Sequence, residues 1–116
     1  MNQIDSEQLL EQLIDDVVCA KSIESAKDVL YSVAKPTGML LKAVDYCIRL
    51  HDGQFRKSGE PYSIHPILVC SFVAHMGGDE SMLIAALLHD VVEDTECSEE
   101  ELQFEFGEEV AVLVRG

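Results

Sequence analysis

His65 and the run His89-Asp90-Val91-Val92-Glu93-Asp94 carry the residue types that can do chemistry at a metal. Imidazole with carboxylate suits a divalent first-row ion and lacks the thiolates that would select zinc strongly. Glu93 and Asp94 each lie four residues beyond His89 and Asp90, so on a helix they stand one turn away. They can then act as acid–base groups beside the ion, the arrangement that metal-assisted hydrolysis requires.

Two elements must position these groups. Residues 79–95 are predicted to form one helix, capped by Asp79 or Ser81 and apolar nearly all round through Met82, Leu83, Ala85, Ala86, Leu87 and Leu88, hence buried. Four titratable groups at the end of a buried helix are costly unless they are paired or bound to a cation. The competing reading is a solvated helix end. His65 precedes Pro66, a residue suited to a first helical turn, at the start of a helix of about 65–76. Taken alone, a histidine there more commonly caps or packs.

Between these elements lies His51-Asp52-Gly53-Gln54-Phe55-Arg56-Lys57-Ser58-Gly59-Glu60-Pro61-Tyr62, whose glycines and proline predict a loop. Arg56 and Lys57 are adjacent cations in a chain of net charge −14. An arginine fork and a lysine point charge can seat a phosphorylated ligand, and the guanidinium can stack on a base. The alternative is a surface turn with solvating charges. Tyr62 is expected to pack the loop, His51 to serve a structural or supporting role, and His75 to be a partly exposed residue without function.

The strings His51-Asp52-Gly53-Gln54, Arg56 to Tyr62, His65-Pro66, Ala85 to Thr95, Phe106 to Val110 and Leu113 to Gly116, in this order and spacing, resemble the hydrolase domain of the RelA/SpoT homologue family within the HD-domain superfamily. The resemblance runs from about residue 38 to Gly116. It implies hydrolysis of the 3′-pyrophosphate of ppGpp and pppGpp to GDP or GTP. It implies a manganese(II) ion held by His65, His89, Asp90 and a later Asp. It implies that Glu93 and Asp94 position or deprotonate the attacking water, and that Arg56, Lys57 and Ser58 line the nucleotide pocket, Arg56 against guanine and Lys57 near phosphate. The later Asp belongs to a helix that the family places after the position of Gly116. The expected fold is therefore an all-α HD-type bundle, incomplete at its C-terminal end, within a longer synthetase–hydrolase. The alternative is a truncated, inactive nucleotide-binding or regulatory module, with self-association through the apolar surface left open.

Composition agrees with a single domain of 116 residues. No apolar run approaches a membrane span, and the acidic, lysine-free start to Asp16 is unlike a signal peptide. Cys19, Cys47, Cys70 and Cys97 are widely spaced and read as reduced residues of a cytoplasmic protein. The acidity disfavours general nucleic-acid binding. Capping and apolar stripes predict further helices over about 6–20, 23–34, 38–52 and 98–105 and a last short one from Val110. That gives seven in all, with residues 1–37 as an N-terminal extension and 38–116 as the HD-type part.

Overall fold

The computed structural model describes residues 5–116, so the first four residues of the expected N-terminal extension lie outside it. Each of the seven expected helices is found, and one is divided in two. In chain order they are α1 (Ser6–Cys19), α2 (Ile23–Val33), α3 (Gly38–Leu50), α4 (Ile64–His75), α5 (Glu80–Leu88), α6 (Val91–Asp94), α7 (Glu99–Phe106) and α8 (Glu108–Arg115).

Their starts follow from local side-chain chemistry. Asp5, Ser22, Thr37, Asp79 and Ser98 each accept a hydrogen bond from a first-turn N–H of the helix that follows. α4 has no side-chain cap, but Pro66 falls in its first turn, where an N–H would have no intrahelical partner. Ser98 and Glu101 have the spacing of a capping box, but only the Ser98 half forms, and the Glu101 carboxylate accepts the Tyr46 hydroxyl at 2.9 Å. Gly107, at φ 96°, turns the chain between α7 and α8 in a conformation that side-chain-bearing residues rarely adopt.

α4 and α5 lie at the centre and pack on one another, with α2 against α4 and α3 and α8 against α5. Leu30, Leu40, Ile67, Ile84, Leu87, Leu88 and Leu102 are essentially inaccessible to solvent. Residues 23–34 therefore give Ala26, Leu30 and Ala34 to the main core. α1 is held differently. It rests on α2 and α4 through a small cluster of Leu13, Ala20 and Val29 backed by Val17 and Phe72, while Leu9, Leu10, Ile14 and Val18 remain exposed. No described helix is long and apolar enough to cross a membrane.

Candidate functional site

The expected continuous helix over 79–95 is interrupted. α5 ends at Leu88, His89 and Asp90 form a turn, and α6 resumes at Val91. The interruption falls where the apolar run ends. Leu87, Leu88 and Val91 are buried, whereas His89, Glu93 and Asp94 are exposed and Asp90 is partly exposed. The burial cost expected for four titratable groups is thus not incurred, because solvent reaches all four.

The turn nevertheless has a defined geometry. His89 Nδ1 lies 2.8 Å from the Ala86 carbonyl oxygen, which can only accept, so Nδ1 is the protonated nitrogen and Nε2 points elsewhere. Nε2 lies 3.1 Å from Asp90 Oδ2. The same carboxylate oxygen accepts the Tyr62 hydroxyl at 2.5 Å. This bond, followed by burial, pushes the Tyr62 phenol up to about 12. Tyr62 therefore does more than pack the loop, because it fixes the orientation of Asp90. No sequence period could reveal a contact between residues so far apart in the chain. The available signal was chemical: a tyrosine whose ring packs indoors generally finds a partner for its hydroxyl.

His65 stands at the start of α4, half-buried, with its ring 6.1 Å from that of Tyr62 and Nδ1 3.5 Å from Arg56 Nη1. Burial lowers its pKa, and the charges of Arg56 and His89 lower it further against the opposing pull of Asp90. His65 is accordingly a neutral imidazole near neutral pH, the form that ligates metals. His51, expected to be structural or supporting, is buried. Its Nδ1 meets Gln54 Oε1 at 3.0 Å, and its ring packs 4.9 Å from Tyr62. Gln54 in turn donates from Nε2 to the Asp94 carbonyl at 2.8 Å, tying the loop to the end of α6. Gln54 had no part in the sequence-based site. His75 ends α4 and is partly exposed, as expected.

The loop closes on itself through Arg56 N–H to Glu60 O at 2.9 Å, Gly59 N–H to Arg56 O at 2.8 Å and a single bridge between Phe55 and Pro61. Ser58 donates its hydroxyl to Glu60 at 2.5 Å. Arg56 and His65 line a common cleft, and Lys57 and Ser58 do not line it.

The fit of a metal ion can be judged from the donors. Two ligands at about 2.1 Å from one ion stand roughly 3.0–3.4 Å apart across a right-angled or tetrahedral edge. The His89–Asp90 pair meets that spacing, with an imidazole lone pair facing a carboxylate oxygen, an arrangement that a proton or a cation between them stabilises. Among the described residues, however, no group of three His, Cys, Asp or Glu side chains stands close enough together to hold an ion. The structure thus brings together two of the three expected ligands and sets His65 against Arg56 and Tyr62.

Similarity to known proteins converges on the same segment. A family model described as "HD domain" matches residues 43–116. A probable guanosine-3′,5′-bis(diphosphate) 3′-pyrophosphohydrolase of Synechocystis is 44% identical over 96 residues, covering 83% of this chain and 12% of that protein. The guanosine-3′,5′-bis(diphosphate) 3′-pyrophosphohydrolase of Haemophilus influenzae is 54% identical over 66 residues, 57% of this chain and 10% of its own length. A GTP pyrophosphokinase of Myxococcus xanthus is 47% identical over 78 residues, 67% of this chain and 10% of its own. The chain thus spans about a tenth of the length of these curated relatives. With a match covering more than half of its length, and with the His-Asp pair at the turn after α5 inside it, the chain belongs to the HD-domain family.

Proposed function

We propose that this chain is the hydrolase portion of a longer protein that removes the 3′-pyrophosphate of ppGpp or pppGpp, with water, to give GDP or GTP and pyrophosphate. The observation that carries this reading is the His89–Asp90 pair at metal-ligand spacing, oriented by Tyr62, with Arg56 close by at His65. The names of the relatives supply the substrate class. His89, Asp90 and His65 would hold manganese(II), which when bound supplies a Lewis acid and lowers the pKa of coordinated water. Glu93 or Asp94, exposed on α6, would take the proton from the attacking water. Arg56, Lys57 and Ser58 would hold the nucleotide. The acidic surface supports a free nucleotide rather than nucleic acid as partner, and a cytoplasmic setting suits the four free cysteines. Self-association would use the exposed Phe104, Val112 and Leu113 of α7 and α8.

Release of GDP and pyrophosphate from ppGpp in the presence of Mn2+ tests the reading. Glu93→Gln is expected to keep the metal and lose about 100-fold or more in turnover. Full activity in that variant would remove Glu93 from the acid–base role. The absence of a three-donor group among the described residues favours a second reading, a nucleotide-binding or regulatory module. Binding of ppGpp without turnover by the unaltered chain would establish that reading instead.

A further inference from the structure

His51 is buried, and its Nε2 meets no hydrogen-bond partner among the described residues. A polar atom left unpaired in the interior costs stability, so a histidine kept there calls for a reason. The other ring nitrogen supplies one. The Asp94 carbonyl can only accept, so Gln54 faces it with Nε2 and turns Oε1 toward His51. Oε1 can likewise only accept, so His51 Nδ1 carries the proton and donates it.

The two residues that His51 touches grip opposite ends of α6. Gln54 holds the carbonyl of Asp94, its last residue, and Tyr62 holds the carboxylate of Asp90, the residue that caps its start. Gln54 and Tyr62 are joined in turn by Tyr62 N–H to Gln54 O at 2.9 Å. α6 has four residues, a single turn that cannot hold its shape alone, and only Val91 of it is buried. The Glu93 and Asp94 side chains are exposed and make no ion pair with a described residue. Where these carboxylates stand is therefore set by the backbone of α6, and so by what holds that backbone.

We propose that His51 is a positioning residue: by donating from Nδ1 to Gln54 it fixes the amide that holds the end of α6, and so sets the Glu93 and Asp94 carboxylates relative to the His89–Asp90 pair. The proposal rests on the hydrolase reading and adds to it a residue that touches none of the reacting groups. A histidine kept for packing alone could be replaced by another side chain of suitable size. One kept for its donor could be replaced only by a side chain that donates from the same place.

Amide hydrogen exchange and ppGpp turnover with Mn2+, both measured on the full chain, test this. Leu and Asn have nearly the same shape, but only Asn offers a side-chain N–H where Nδ1 stands. His51→Leu is expected to speed exchange of the Asp94 and Thr95 amides, which close α6, by about tenfold and to leave Leu87 and Leu88 of α5 unchanged. In the same variant kcat should fall about ten- to a hundredfold, with KM and Mn2+ affinity within about twofold. His51→Asn should restore both readouts. Gln54→Glu, at a partly exposed position, can still accept from His51 but cannot donate to Asp94, and should behave as His51→Leu does. It also decides the matter if His51→Leu does not fold. Equal losses in the Leu and Asn variants, exchange quickened alike in α5 and α6, or a loosened α6 with kcat unchanged would each overturn the proposal. If the unaltered chain turns over no ppGpp, the hydrolase reading falls, and exchange at α6 alone decides whether His51 positions it.

Discussion

The turn after α5 and the basic loop between α3 and α4 both carry charge at the edge of a buried helix pair, yet they are held in opposite ways. At the turn the side chains are fixed. His89 is anchored to a backbone carbonyl, Asp90 to the Tyr62 hydroxyl, and the end of α6 to Gln54. In the loop the backbone is fixed by its own hydrogen bonds and the Phe55–Pro61 bridge, while the exposed Lys57 side chain is held by no ion pair with a described residue and Arg56, also exposed, meets only His65 at 3.5 Å. A metal edge needs donors held within a fraction of an ångström, whereas a flexible phosphorylated ligand can be met by cations that adapt. The division of labour between rigid turn and adaptable loop matches those two demands.

The contrast can be broken most severely at the turn. His89→Ala removes one of the two donors, and manganese affinity is expected to fall by more than about 100-fold, beyond the range for supporting residues. Titration of the metal checks this, and an unchanged affinity would mean that the pair is only a helix end. Tyr62→Phe keeps the ring and removes the hydroxyl that orients Asp90. It should cost about tenfold in metal affinity and about 1 kcal/mol in stability, read from the same titration and from denaturant unfolding. An effect on stability alone would return Tyr62 to a packing role.

Within the loop the expected effects are smaller and fall on different observables. Gly59 sits at φ 98° with open space around it, so Gly59→Ala should destabilise by about 1 kcal/mol through backbone strain rather than through collision. Lys57→Ala should leave stability within about 0.5 kcal/mol while weakening nucleotide binding a few-fold. A larger loss of stability at Lys57 than at Gly59 would show that the loop is held by its side chains, contrary to the comparison.

The helices were legible in the sequence because their signals are local. Asp5, Ser22, Thr37, Asp79 and Ser98 cap within three residues, and the apolar runs of α4 and α5 leave no polar face. The break at His89–Asp90 was harder to see. The Asp90 backbone, at φ −98° and ψ −4°, departs only modestly from helical values, so the pattern continues across it. The better clue was Leu88, where the apolar run stops. Tyr62 and Gln54 were not legible as site residues because their partners, Asp90 and Asp94, are brought to them by the packing of α4 on α5 and not by any period in the chain.

The central claim is that His89 and Asp90 form one edge of a metal site. Titration of the 116-residue chain with Mn2+, followed by electron paramagnetic resonance, tests it without recourse to turnover. The result expected is saturable binding of one ion per chain, lost in Asp90→Asn while the helical circular dichroism is unchanged. Equal Mn2+ binding by the unaltered chain and by a folded Asp90→Asn would contradict the claim.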